Sequence, residues 1–390
     1  KGEKMFSKFL KILGVVMLFG AGVHAYAEQG ITDSEIIIGS NQDMSGPFAG
    51  FGAPGMSATK QYFDKINAKG GIHGRTLKLI VEDNGYQLPK AMQNMNKLIN
   101  SDKIFIMYMQ MGTHINKATF DQLEAKKVIN WMPLSGSETM ANPYSDLRYA
   151  GGAGYFTEMK TLVQHVSETT GKKKVCAMIL PIDFGKEISA GSKAGAEAAG
   201  GEFVTQTAHK PDEEDFVGAL SKLKAAGCEM ISLALGLKQQ IKVLGTAKKM
   251  GLNDIQIIGS SASMHTVLAK VPGGITEGFM VAAGWSDMLS RMGNKEVATW
   301  FTEYNKEFNT KLPPTGALLG RVYAEMLVRA LEAAGRDLNH SSFQKAVESL
   351  EYKDVFMDLP VKFGKNDHVS TEGLIISQIV DGNWKELTRK

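Results

Sequence analysis

Glu35-Ile36-Ile37-Ile38-Gly39 opens into Met44-Ser45-Gly46-Pro47 and Phe51-Gly52, then into a helical pattern ending at Asn67-Ala68-Lys69-Gly70-Gly71-Ile72-His73-Gly74-Arg75. A second β-rich run, Leu77-Lys78-Leu79-Ile80-Val81-Glu82-Asp83, follows at once. The first run is short and β-branched, whereas Met56, Phe63 and Ile66 recur on one helical face. A strand, a turn, an amphipathic helix and another strand make a β-α-β unit.

The same alternation runs outward along the chain. Strand-like segments fall near residues 104–109 and 128–132, then near 175–180, 202–207, 229–235, 255–259 and 278–283. Helical patterns lie between them, as where Met92, Met95, Leu98 and Ile99 share a face. Such alternation implies parallel sheets flanked by helices. Gly151-Gly152-Ala153-Gly154 separates two series of strands and reads as a crossover. A chain of 390 residues also exceeds what one ordinary core serves, so two domains are expected. Two long helical patterns, about 293–309 and 316–336, break the repeat before shorter helix and strand signals from Ser341 onward.

The first residues read as a targeting segment. Lys4, Lys8 and Lys11 form a basic region, Ile12 to Val23 is apolar, and Ala25-Tyr26-Ala27 is an A-x-A cleavage triplet. The apolar stretch is short for a membrane span. Residues 1–27 are therefore expected to be a cleaved signal peptide, leaving a free periplasmic protein that starts at Glu28. Four of the 44 basic and one of the 41 acidic residues lie in that leader, so the remainder carries no net charge with His neutral. This balance advertises no basic face for nucleic acid or anionic membrane. Cys176 and Cys228 each sit beside a strand-like run; they could pair in an oxidising compartment or remain two buried thiols. Two thiols and eight scattered histidines give no metal-ligand pattern.

The opening run resembles the start of periplasmic solute-binding proteins of the leucine/isoleucine/valine type, the capture components of ABC importers. Other pieces agree in order and spacing: Glu82-Asp83-Asn84-Gly85-Tyr86 with Ala91 to Ile99, Asp183-Phe184-Gly185 with Ala196 to Gly201, Asp215-Phe216 with Leu220 to Gly227, and Ala247 to Leu252. The chain looks nearer the branch of aromatic-acid and amide binders than the amino-acid binders. The resemblance implies an α/β fold of two doubly wound parallel-sheet lobes joined by a three-segment hinge. Carried over, lobe one is 31–152 plus 284–355, and lobe two is 153–283 plus 356–390. It further implies a monomer without cofactor that binds a small molecule, docks on an inner-membrane ABC permease and does no chemistry on its ligand.

In doubly wound sheets the crevice forms where strands end and the next helices begin, and helix N-termini there suit a carboxylate. Gln110-Met111-Gly112-Thr113 and Leu134-Ser135-Gly136-Ser137 occupy such positions and are expected to form an anion cradle. Ser45 marks the lip of the cleft and Phe51 an aromatic wall. Amino-acid binders of this family hold the ligand ammonium with an acidic residue after the fourth strand of lobe two. Ser261 stands at that position here, Phe184 replaces a Tyr, and Leu235-Gly236-Leu237 replaces an aromatic stretch. A desolvated ammonium without a carboxylate is costly. The expected ligand is therefore a small organic acid with an apolar or aromatic body, lined by Phe51, Met109, Met111, Phe184, Leu237 and Trp285. A branched-chain or other amino acid is the alternative in the same importer class, as is a sensor domain of this fold. Arg321 could clamp a carboxylate through its guanidinium, or serve in a salt bridge. His114 and His265 fall near the cleft loops and are read as solvated or capping residues.

Gly50-Phe51-Gly52-Ala53-Pro54-Gly55 satisfies the G-x-G-x-x-G pattern of dinucleotide sites. It starts ten residues past Ser40, however, and such a fingerprint follows its strand immediately. No G-x-S-x-G, P-loop lysine or H-E-x-x-H motif is present, and no nucleophile–base set stands out. Binding without catalysis is the expectation.

Overall fold

The structure is a computed structural model and describes residues 28–390; the expected signal peptide lies outside them. β1 (Glu35–Gln42) pairs in parallel with β2 (Thr76–Asp83) on one side and β3 (Ile106–Tyr108) on the other. With β4 (Ile129–Trp131) and β5 (Arg148–Tyr149) they form a parallel sheet in the order β2-β1-β3-β4-β5. Helices α1 (Ala49–Ala68), α2 (Leu88–Asn100) and α3 (Thr113–Ala125) connect the strands. Met56 and Phe63 are buried by α1, as their spacing requires.

A second unit follows: α4 (Tyr155–Thr170), β6 (Lys174–Ile179), α5 (Asp183–Ala198), β7 (Glu202–Ala208), α6 (Val217–Ala225), β8 (Met230–Ala234), α7 (Leu237–Lys249), β9 (Gln256–Gly259), α8 (Thr266–Ala269) and β10 (Met280–Ala283). Strands β8 and β10 are buried along their whole length, because helices cover both faces of the sheet. The chain then continues through α9 (Lys295–Glu307), α10 (Thr315–Ala334), α11 (His340–Glu348), β11 (Glu351–Asp354) and β12 (Leu359–Lys362). It ends in β13 (Ile375–Val380) and β14 (Asn383–Arg389).

The second sheet runs β14-β13-β10-β9-β8-β6-β7, and its last two strands are antiparallel rather than parallel. For the β13–β14 pair the reason is local. Val380 pairs with Asn383 across Asp381-Gly382, and both of those turn residues have positive φ (52° and 67°). Asp-Gly suits such a two-residue hairpin, which turns the chain straight back on itself. Cys176 on β6 is disulfide-bonded to Cys228, just before β8, with Cα atoms 5.8 Å apart. Strands β6 and β8 are neighbours, and that adjacency brings the two thiols together.

Three chain crossings lie side by side between the sheets. A Cβ on Gly284 would lie 3.9 Å from the Gly373 carbonyl oxygen and 4.0 Å from the Gly152 Cα. Strands β11 and β12 form an antiparallel hairpin, and Phe363 beyond it packs against Trp131 and Tyr149 of the first sheet. The division expected between residues 355 and 356 falls inside that hairpin.

The three glycines of the G-x-G-x-x-G stretch sit within α1: Gly52 abuts the Asp43 carbonyl, where a Cβ would fall 2.1 Å away, and Gly55 packs against α10. A Cβ on Gly320 would come within 2.1 Å of the Gly55 carbonyl oxygen, and one on Gly316 within 2.2 Å of the Phe51 carbonyl oxygen. Bare backbone on both helices lets the two approach this closely.

Candidate ligand-binding cleft

The cleft is built where β1, β3 and β4 end. After β1, the buried Asp43 carboxylate gathers the turn that follows: Oδ1 accepts the Gly46 N–H at 2.5 Å, and Oδ2 accepts the Phe48 N–H at 2.8 Å. That turn sets Phe48 and Phe51 against the cavity. After β3 and β4 the chain continues in step: Met111 bridges Leu134 in parallel, and the Gly112 N–H donates to the Leu134 carbonyl at 3.2 Å. Gly112 has φ of +102°, and a Cβ there would stand 2.9 Å from the Tyr86 ring. Only glycine meets both demands. The hydroxyls of Thr113 and Ser135 lie 2.8 Å apart at the cavity wall. No side chain caps α3, so the N–H groups of its first turn and the helix dipole remain available to an anion.

Aromatic rings carry the wall from one lobe to the other. Tyr86 packs on Phe48 (centroids 4.6 Å apart), Phe48 meets Phe184 edge-on (5.7 Å), and Phe184 meets Tyr155 edge-on (5.2 Å). The lobes are closed: Lys117 pairs with Asp183 at 3.0 Å, and the Glu138 N–H donates to Glu187 Oε1 at 2.8 Å. The enclosed space is about 740 Å³, counting the part open at its mouth.

On the far wall, Glu158 of α4 is buried with Oε2 accepting two bonds from Ser261, one from its N–H and one from its hydroxyl, both at 2.9 Å. Burial pushes this carboxyl up from 4.5 to about 8, the two Ser261 bonds opposing the rise and the nearby Glu187 charge adding to it. It is therefore mostly protonated at neutral pH. Burial likewise drives the Tyr323 phenol well above its ordinary value, so it keeps its proton.

Residues 35–383 match the family model for periplasmic binding protein. The chain belongs to that family. This periplasmic binding protein is 24% identical over 236 residues to an amino acid binding protein of Pseudomonas aeruginosa; the match covers 59% of each chain, so less than two thirds of that relative's length is spanned. Its fold is similar to that of a fatty acid ABC transporter substrate-binding protein from Thermomonospora curvata (TM-score 0.82, 24% identity, 93% of each chain). It is similar also to an ABC transporter solute-binding protein from R. palustris in complex with benzoate (TM-score 0.81, 17% identity, 91% of this chain and 96% of that one).

Of the residues singled out in the sequence, Phe51, Met111, Gly112, Thr113, Leu134, Ser135, Gly136, Phe184 and Ser261 line one cavity, and Trp285 joins them. The others stand elsewhere. The Ser45 hydroxyl donates to Asp83 at 2.8 Å and braces the lip. Gln110 is buried beneath the cradle, donating to Asn116 (3.2 Å) and Thr119 (2.7 Å). Ser137 caps the short turn at Glu138–Met140. Gly236 and Leu237 meet the lip of the other lobe at Pro47 and Gly50, outside the cavity lining. His265 caps α8 through Nδ1, and burial holds its ring neutral at about 4.

Arg321 is the clearest correction. Its guanidinium pairs with Glu325 at 2.5 Å and lies over the rings of Tyr62 and Phe356. Leu319 and Tyr323, two positions either side on α10, face the cavity instead. Two helical positions turn the side chain through roughly 200°, so Arg321 must point away. The expectation of a cleft without a carboxyl also fails. Ser261 does stand where the acid was sought, but Glu158 reaches that place from α4. Tyr155 and Glu158, three residues apart, share a helix face, which is the signal that could have found them.

Proposed function

We propose that this protein is the periplasmic capture component of an ABC importer and closes its lobes over a small organic acid with an apolar or aromatic body. One observation carries the reading: a cavity ringed by Phe48, Phe51, Tyr86, Tyr155 and Phe184 has, at one wall, the open N–H groups of α3 and one hydroxyl hydrogen left free by the Thr113–Ser135 bond, and among the described residues no Lys or Arg lines it. Donors of that kind hold a carboxylate without a cation. The only lining carboxyl among the described residues, Glu158, is held protonated by burial and so does not repel an anion. The named ligand of the R. palustris neighbour, benzoate, is of this class. Closure of two lobes on the ligand would present one surface to a membrane permease, and the chemistry of the ligand would be left untouched.

Glu158 itself favours a second reading. Were it ionised, it would pair with an ammonium and the cleft would take an amino acid, as the name of the P. aeruginosa relative suggests for that protein. A thermal-shift panel at pH 7 with benzoate, octanoate and leucine separates the two. An acid present at 100 times its dissociation constant is expected to stabilise the protein by about 2.7 kcal/mol. A response to leucine with none to either acid would overturn the organic-acid reading.

A further inference from the structure

Glu158 occupies a place in the cleft that a carboxylate cradle does not need. It is 1% exposed, and both acceptor directions of Oε2 are taken by Ser261. Oε1 has no hydrogen-bond partner among the described residues, so the carboxyl proton belongs on that oxygen. The ionisable groups facing Glu158 are Glu187 of α5, Tyr155 of its own helix and Tyr323 of α10. None of them is a cation, and among the described residues no Lys, Arg or His lines the cavity. A second negative charge placed here would go unbalanced.

Two further donors without an acceptor among the described residues belong to residues that line this cavity. Trp285 lines it, and its indole N–H is buried without a partner. An indole N–H can only donate. Tyr323 also lines the cavity, and its hydroxyl has no hydrogen-bond partner among the described residues. A buried donor left unpaired costs its full desolvation, so a ligand oxygen that receives it is selected over a carbon that does not.

We infer that this wall reads a neutral oxygen, a hydroxyl or a carbonyl, at the end of the ligand remote from its carboxylate, and that Glu158 Oε1–H is the donor that determines this preference. The inference rests on the organic-acid reading and narrows it to hydroxy- or oxo-substituted acids. Ser261 has a positioning part: it fills Oε2 and so fixes the proton on Oε1.

Titration calorimetry at pH 7 tests it with matched pairs, benzoate against 3- and 4-hydroxybenzoate and octanoate against 8-hydroxyoctanoate. In the natural protein at least one hydroxy acid is expected to bind about tenfold more tightly than its parent, the worth of one good buried hydrogen bond. Glu158→Gln should keep that preference, because the amide oxygen can serve Ser261 while the amide N–H replaces Oε1–H. Glu158→Leu, checked for folding by circular dichroism, should bring each pair to near equality. Equal affinities within every pair in the natural protein, or a preference untouched by Glu158→Leu, would overturn the inference and leave acid binding standing. Binding of leucine but of no acid, with Glu158→Gln abolishing it, would overturn the organic-acid reading as well.

Discussion

On one wall of the cleft, Thr113 and Ser135 stand at the ends of β3 and β4 and offer hydroxyls beside the uncapped start of α3. On the other, Glu158 and Ser261 come from a helix and a strand end of the second lobe and form a buried, self-contained pair. The first wall is a property of the fold, since any parallel strand that feeds a helix leaves N–H groups there. The second wall depends on particular side chains, and its chemistry turns on whether one proton is present. On the proposed reading, affinity for a carboxylate and choice among carboxylates would therefore reside in different lobes.

The largest expected effect comes from cutting the rings that join the two walls. Phe184 touches Phe48 of the opposite lobe and Tyr155 of its own. Phe184→Ala should weaken every ligand by about 2 kcal/mol through lost apolar burial, whatever its polar end. Calorimetry that found unchanged affinity in a folded variant would remove Phe184 from the site. A smaller and more selective effect is expected from Ser135→Ala, about 1 kcal/mol for one lost hydrogen bond. It should fall on the acids and spare the matched amides, and an equal loss for benzamide and benzoate would put the carboxylate elsewhere.

The contrast between the walls also explains what the sequence could reveal. Strand runs, turn residues and the helical face of Met56 and Phe63 are local patterns, and they gave the alternating order and the loops after β3 and β4. Those loops reach the cleft by topology alone. Glu158 could not be placed in that way. In the sequence it is one acid in the first turn of a helix, where an acid ordinarily complements the dipole. Its role arises because the same turn faces Ser261, more than 100 residues further on. Arg321 misled for a related reason: its helix does line the cleft, but the choice between Arg321 and Tyr323 depends on helical phase against a neighbour. Asp381-Gly382 is a hairpin signal that the expectation of parallel sheets left out, and it joins the two edge strands of the second sheet antiparallel.

The protonation of Glu158 is the point on which the two walls can be set against each other most directly. Burial raises its carboxyl from the ordinary 4.5 to about 8, so near pH 8 it is about half protonated. An anion in the cleft favours the neutral carboxyl, and affinity for acids should fall as pH rises past 8. A bound ammonium favours the carboxylate instead. Calorimetry at pH 8 in two buffers of different ionisation enthalpy, with the tightest-binding acid of the thermal-shift panel, counts the protons exchanged. Uptake of about half a proton per acid bound is expected, and it should vanish in Glu158→Gln. Release of a comparable fraction on binding leucine, with no acid able to bind, would contradict the assignment.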